Sequence, residues 1–141
     1  MSDELIVAFA SADKARVHYV GEGDRLAEQC RMQYLTPGEG QAMTYQEKYA
    51  EAAACHAGGE GPFPHLDSEA EARGIDRHQL CQEIIDTRNK WLQLSAFIEG
   101  ERARCKRSIR ETDSQQVMRD AVTQLREVLA GIPAKFGFPE L

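Results

Sequence analysis

The sequence predicts a mainly α-helical protein: a helical bundle with a long helix hairpin, preceded by a short N-terminal β-hairpin. Three observations lead to this fold class. Apolar residues recur every four or seven positions between residues 80 and 105, as on one face of a long helix. Start and stop signals bracket each helical segment, and two short segments rich in strand-forming residues stand at the N-terminus. We therefore divide the chain into a strand pair or arm (1–23), a helical domain (24–132) and a C-terminal tail (133–141).

The N-terminal strand pair is predicted at residues 4–9 (ELIVAF) and 16–20 (RVHYV). Both segments are rich in β-branched and aromatic residues, and the short link between them suits a hairpin. Residues 21–24 (GEGD) contain two glycines and end the pattern. Because an isolated hairpin is only marginally stable in water, we expect it to pack on the helices or to pair with another chain.

The first two helices are predicted on either side of a turn. Asp24 is a suitable N-cap for a helix over residues 25–35. Proline and two glycines in residues 36–40 (TPGEG) then force the turn. A second helix follows from Gln41 to about residue 57, since its alanine-rich sequence favours helix, and a pair of glycines ends it.

The longest helix is predicted from Asp76 to about Glu111, after a short helix over residues 65–73 that Gly74 closes. Asp76 begins a capping-box pattern, in which the side chain of the N-cap residue accepts a hydrogen bond from a free backbone N–H. Trp91 occupies a heptad-like position along this helix. We therefore expect Trp91 in the hydrophobic core.

A last helix is predicted after a cap in residues 112–114 (TDS) and extends to about Ala130, where a glycine and a proline end it. The connection to the long helix is short, so the two helices should form an antiparallel hairpin. The tail that follows contains Phe136 and Phe138. These two aromatic side chains are expected to be exposed unless they dock.

Composition narrows the classes of function. The chain has 23 acidic and 17 basic residues and a net charge of −6, which argues against a general nucleic-acid binder. Leu, Ile, Val and Phe supply only 28 of 141 residues, so we expect neighbours in an oligomer to complete a thin core. No apolar run approaches the ~18 residues of a membrane span. The N-terminus lacks the basic lead of a secretory signal.

No motif predicts catalysis, a cofactor or a metal. A phosphate-binding loop, a nucleophile elbow and a metalloprotease helix are all missing from the sequence. His56 and His65 flank a glycine-rich loop and could share a site with Glu60 or Asp67, although surface histidines are the more common case. The cysteines form no Cys-x-x-Cys pair and are expected to be small buried apolar residues: Cys30, Cys55, Cys81 and Cys105.

A run of five cations near the end of the long helix is the strongest charge feature: Arg102, Arg104, Lys106, Arg107 and Arg110. It has three interpretations. The run is a solvated face balanced by nearby glutamates, a surface for an acidic protein partner, or a nucleic-acid site. The aromatic residues with which single-strand binders stack on bases do not alternate with these cations. Together with Phe136 and Phe138, the run forms the predicted partner-binding set.

The sequence between residues 25 and 52 resembles a pattern in small tailed-bacteriophage proteins encoded among tail and tail-fibre genes. In those proteins an Arg-rich helix, a Thr-Pro-Gly turn and a Gln-x3-Tyr-x2-Lys-x2-Glu-Ala helix precede a proline-containing loop and a long helix with a central Trp and an Arg-rich end. The resemblance covers about residues 25–125. The positions of this chain that carry the motif are Arg31, Tyr34, Pro37, Gly38, Gln41, Tyr45 and Lys48.

The resemblance implies a non-enzymatic virion protein, a structural or attachment component of the tail or tail-fibre region. Such a protein would act as an oligomer through contacts with other phage tail or fibre proteins, in the virion and in the host cytoplasm during assembly. Two alternatives stay open. One is a tail-fibre assembly chaperone that is not retained in the virion, and the other is a small nucleic-acid-binding regulator that uses the Arg102–Arg110 run.

Overall fold

A computed structural model describes residues 8–35 and 39–137, and most of them lie in helices. No strand occurs within these two ranges. The helices are α1 (Ala12–Leu35), α2 (Glu39–His56), α3 (Pro64–Arg73), α4 (Arg77–Arg110), α5 (Gln115–Ala130) and α6 (Ile132–Phe136).

The chain divides into two compact units. The central unit comprises Leu35–Leu94, and the terminal unit comprises Met1–Tyr34 and Ser95–Leu141. The long helix α4 contributes to both units, since it extends from Arg77 to Arg110. The mainly helical class predicted from the sequence is confirmed, and it is compatible with a helical bundle.

The predicted N-terminal β-hairpin is wrong where the structure describes it. Residues 16–20 lie inside α1, which begins at Ala12, so the boundary predicted at residue 23 falls within a helix. Residues 4–7 of the other predicted strand lie outside the described part of the chain. The physical reason is tertiary packing. Small buried residues recur along α1 at helical spacing, and their burial outweighs the local preference for a strand. These residues are Ala15, Gly23, Ala27 and Cys30.

Gly23 is a position at which α1 lies close to α4 and α5. A Cβ atom built on Gly23 would lie 3.4 Å from the Cys105 Sγ of α4 and 3.8 Å from the Leu125 Cδ2 of α5. Gly23, which the sequence predicts to interrupt helical structure, therefore allows α1 to pack closely against both α4 and α5. Gly21, two residues earlier, has open space around its Cα.

Two glycine substitutions test whether residues 21–24 are helical. Gly21→Ala is expected to raise the free energy of unfolding by up to about 1 kcal/mol, because alanine is the better helix former and meets no neighbour. Gly23→Val should lower it by about 1–3 kcal/mol, because its γ carbons would enter the space of Cys105 and Leu125. Urea unfolding followed by helical circular dichroism measures both. Equal destabilisation by the two variants would contradict a helix here.

The central unit is built on a cluster of buried side chains from α2, α3 and the first half of α4. Its members are Ala52, Cys55, Phe63, Leu66, Ala70, Leu80, Cys81 and Ile84. Tyr49, Ile75 and Ile85 pack against the cluster and are half-buried. The buried side chains that α2 contributes to the cluster are those of Ala52 and Cys55. Because both side chains are small, α2 packs against its neighbours with little apolar volume.

Capping contacts define the ends of α3. The Glu51 carboxylate of α2 accepts hydrogen bonds from the backbone N–H groups of His65 (2.8 Å) and Leu66 (3.2 Å) in its first turn. Asp67 Oδ2 reaches back to the N–H of Phe63 at 3.0 Å. Gly74 ends the helix in the left-handed conformation with φ 67°, which confirms the predicted C-terminal stop.

The predicted bounds of α4 agree with the structure to within a residue or two. Asp76 precedes the helix, and its Oδ2 accepts a hydrogen bond from the N–H of His78 at 2.9 Å, as a capping residue does. Burial along the helix is uneven, because buried positions cluster before Ile85 and again from Leu94 onward. Trp91 lies between the two clusters and is half-buried, so its predicted core position is wrong.

The C-terminal segment differs from the predicted tail. Ser114 caps α5 by accepting a hydrogen bond from the N–H of Val117, and α5 ends at Ala130 as predicted. The chain then continues as α6, so the boundary predicted at residue 133 falls within a helix. The Phe136 ring is half-buried and packs edge-on against Phe97 at a centroid distance of 5.4 Å. Phe138 lies outside the described residues.

All four cysteines are buried and free, as the sequence predicts. Cys81 Sγ donates a hydrogen bond to the carbonyl oxygen of Ala52 at 3.0 Å. Burial raises the pKa of the Cys30, Cys81 and Cys105 thiols. These three thiols therefore stay protonated near neutral pH and act as small apolar side chains.

Candidate functional site

The predicted cation run lies on the terminal unit's part of α4, and its side chains are mostly paired with carboxylates. Arg102 Nε lies 2.7 Å from Asp24 Oδ1, and Lys106 Nζ lies 3.2 Å from the same oxygen. Asp24 belongs to α1, so the residue predicted as a helix cap instead joins α1 to α4. The Arg102 guanidinium also pairs with Glu99 at 3.2 Å.

The other cations of the run have neighbours on their own helix. Arg104 pairs with Glu101 at 3.7 Å, and Arg107 pairs with Glu111 at 3.0 Å. Arg110 is exposed. Since nearby carboxylates offset most of the positive charge, the balanced helix face is the interpretation that this geometry supports best. A phosphate backbone would have to compete with these carboxylates.

Asp24 makes the stability of the terminal unit sensitive to acid. The Arg102 guanidinium beside it, together with Lys106, lowers the pKa of the Asp24 carboxyl. A carboxyl whose pKa is lower in the folded state stabilises the fold above its unfolded pKa of about 3.9, and this contribution disappears as the pH falls through the folded pKa.

We expect Asp24→Asn to flatten the decline of the melting temperature between about pH 5 and pH 2, because the variant has no carboxylate to protonate. Thermal unfolding monitored by circular dichroism across this range measures the effect. Asp120→Asn is a matched control, since the exposed Asp120 carboxylate accepts a hydrogen bond from the neutral Gln116. An equal change in both variants would contradict a specific role for Asp24.

The motif residues are distributed over both units. In the terminal unit, Arg31 pairs with Glu28 at 2.8 Å and also contacts Glu99, and Tyr34 is half-buried. In the central unit, Gln41 lies in the first turn of α2. Pro37 and Gly38 lie outside the described residues.

Tyr45 and Lys48 make contacts within the central unit. Lys48 Nζ bonds Glu69 Oε1 at 2.6 Å and lies 5.5 Å from the centre of the Tyr45 ring. The Tyr45 ring packs edge-on against Trp91 at a centroid distance of 4.8 Å. The motif helix α2 is therefore joined to α3 through Lys48 and to α4 through Tyr45.

Tyr45 and Trp91 form a partly exposed aromatic pair, called here the Tyr45–Trp91 surface, and Leu92 follows Trp91 on α4. Tyr45 is 38% exposed, Leu92 is 53% exposed, and Trp91 is half-buried. A groove beside Tyr45 continues along α4 and is lined by Lys48, Glu69, Leu80, Glu83, Ile84 and Thr87. Aromatic side chains at a partly exposed position, next to a groove with charged edges, are typical of protein-binding surfaces.

A charged network borders this groove. Arg73 Nη1 lies 2.8 Å from Glu83 Oε2 and 3.2 Å from Glu69 Oε2, and Glu69 also accepts the bond from Lys48. These contacts lower the pKa of both carboxyls, chiefly through Lys48 for Glu69 and through Arg73 for Glu83. Sequence reasoning missed this network, because its members come from three different helices. The Glu-x3-Arg spacing of Glu69 and Arg73 was the one local signal.

The two histidines beside the glycine-rich loop, His56 and His65, are both exposed, in agreement with the interpretation as surface histidines. His65 Nδ1 lies 2.5 Å from Glu51 Oε2, whereas Asp67 pairs with Arg77 at 2.7 Å. Arg77 also lies over the Phe63 ring, 5.1 Å from its centre. These contacts hold the start of α3 in place.

Residues 8–35 and 39–137 contain neither a metal-binding cluster nor a helix that could span a membrane. Within them, no group of three or more His, Cys, Asp or Glu side chains is placed to hold a metal ion. None of the helices described is both long and apolar enough to cross a membrane.

Comparison with known proteins does not assign a function, so the functional interpretation rests on the geometry of the described residues. No family model, no curated protein and no solved structure matches this chain.

Proposed function

We propose that this chain is a non-enzymatic bacteriophage protein of the tail or tail-fibre region, and that it binds other tail proteins through the Tyr45–Trp91 surface. The observation that carries the proposal is the partly exposed Tyr45–Trp91 pair, which includes a residue of the motif that resembles a pattern in small phage proteins. Tyr and Trp are enriched among the residues that dominate binding energy at protein interfaces.

The nucleic-acid alternative has less support from the charges. Four cations of the Arg102–Arg110 run lie within 4.0 Å of carboxylates. A binder of the phosphate backbone gains affinity from clustered cations that release counterions. If the run nevertheless binds nucleic acid, the affinity should fall steeply with salt concentration.

Quantitative mass spectrometry of purified phage particles tests the proposed role. A structural component should be present at a fixed number of copies per particle. A chain that is absent from particles, but that keeps co-expressed tail-fibre protein soluble, would identify the assembly chaperone instead. Absence from particles together with no effect on any co-expressed tail protein would overturn both.

Trp91 is the single tryptophan of the chain, so its fluorescence reports on the proposed surface directly. We expect acrylamide to quench Trp91 in the free protein and to quench it less, with a blue-shifted emission, when a tail protein is bound. Tyr45→Asp should weaken this complex by about tenfold or more, since it places a charge at the exposed aromatic pair.

Met32→Asp is the matched control, because Met32 is 58% exposed on α1 in the terminal unit. Equal loss of binding in the two variants would argue against the Tyr45–Trp91 surface. Circular dichroism of both variants establishes that they remain folded.

A further inference from the structure

The terminal unit contains a groove whose lining residues do not include any residue of the Tyr45–Trp91 surface. It lies between the last turns of α1 and the junction of α5 and α6, and its volume is about 390 Å³. Pockets that hold small ligands or anchor side chains fall in the range of about 300–1,000 Å³. The lining residues are Leu26, Gln29, Cys30, Gln33, Tyr34, Arg126, Leu129, Ala130 and Pro133.

The floor of the groove is apolar and uncharged. Cys30 is 7% exposed and Leu129 is 8% exposed, while Leu26 and Pro133 are half-buried beside them. Burial raises the pKa of the Cys30 thiol, so the floor carries no thiolate near neutral pH. An apolar side chain placed here would displace water from the four side chains.

The rim carries one cation and no anion. Arg126 and the amides of Gln29 and Gln33 are exposed at the edge, and none of the lining residues is Asp or Glu. Within the part of the chain that the structure describes, Arg126 has no carboxylate partner. This distinguishes Arg126 from Arg102, whose guanidinium is held by Asp24 and Glu99.

We propose that this groove binds a short peptide segment of a protein partner, in which a large apolar side chain lies next to a carboxylate. The apolar side chain contacts Cys30 and Leu129, and the carboxylate pairs with the guanidinium of Arg126. Arginine recognises a carboxylate through two parallel N–H···O bonds, which defines the direction of the bound segment. The amides of Gln29 and Gln33 can bond its backbone.

Charge complementarity selects this partner over a basic or neutral one. A guanidinium at the rim of an apolar groove favours a carboxylate and repels a lysine or arginine. The neutral floor of the groove favours an apolar side chain. A segment made only of acidic residues would have no such side chain to place there.

A dipeptide titration tests the proposal with the full chain. The probe is N-acetyl-Phe-Glu amide, added to ¹⁵N-labelled protein and followed by backbone amide shifts. We expect saturable shifts at Cys30, Gln33 and Leu129, with a dissociation constant on the order of 1 mM. N-acetyl-Phe-Gln amide should bind about tenfold more weakly, because it lacks the carboxylate that pairs with Arg126.

Two variants that keep a polar side chain at the rim separate binding from folding. Arg126→Gln should weaken the Phe-Glu probe about tenfold, and Gln33→Glu should do the same by placing a competing carboxylate at the rim. Arg104→Gln is the control, since Arg104 lies outside the groove. Shifts confined to other residues, equal affinity for the two dipeptides, or unchanged binding to Arg126→Gln would each overturn the proposal.

Discussion

Replacing Leu66 by alanine is expected to lower the free energy of unfolding of the central unit by about 3 kcal/mol. Leu66 has no exposed surface and lies in the cluster formed by α2, α3 and α4. Truncating a fully buried leucine removes its apolar contacts and leaves a cavity, and such changes typically cost about 2–5 kcal/mol. Alanine favours helix at this position, so local propensity does not add to the loss.

Urea unfolding followed by Trp91 fluorescence measures this change, because Trp91 belongs to the same unit. Leu92→Ala is the matched control: it is the same substitution on α4, at a side chain that is 53% exposed. We expect it to change the free energy of unfolding by less than about 1 kcal/mol. Similar losses for the two variants would mean that Leu66 is not in a closely packed core.

Glu51→Ala is expected to destabilise the same unit by about 2 kcal/mol. The Glu51 carboxylate accepts two backbone hydrogen bonds at the start of α3 and also contacts the His65 ring. Its side chain is only 13% exposed, so water replaces these bonds poorly. Loss of hydrogen bonds to a charged group costs about 1.5–3 kcal/mol, and loss of a helix cap costs about 0.5–2 kcal/mol.

Glu47→Ala serves as the control for Glu51→Ala. Glu47 is an exposed residue of the same helix, one turn earlier. Its replacement should change stability by no more than about 0.5 kcal/mol. If Glu51→Ala unfolds at the same urea concentration as Glu47→Ala, the proposed capping of α3 by α2 is incorrect. Amide hydrogen exchange at His65 and Leu66 provides a second, local measurement of the same bonds.

Local signals predicted the C-terminal end of α3 and the start of α5 well. Gly74 and Ser114 act through the backbone conformation or a side-chain hydrogen bond within a few residues, so their effect can be derived from neighbouring sequence. The first helix did not follow from its local sequence. Val17, Tyr19 and Val20 favour a strand, and the contact that makes Gly23 suitable for a helix involves residues about 80 to 100 positions later.

The candidate site was predicted only in part, for the same reason. Tyr45 and Lys48 were identified through the motif, but their contacts with Trp91 and Glu69 depend on the packing of three helices. The period of α4 predicted Trp91 in the core, because a heptad pattern assumes one continuous seam. The helix instead contributes to two compact units, and its buried positions are interrupted between them.

The sequence by itself determined the mainly helical class, most helix ends and the burial of the four cysteines, since these depend on propensity, capping and local apolar spacing. The tertiary structure decided the rest. It extended α1 through two glycines, and it left Trp91 partly exposed. It also paired the cation run with Asp24, a carboxylate 78 residues before Arg102. Close packing and ion pairing act between side chains that only the folded chain brings together, so a linear pattern of residues does not contain them.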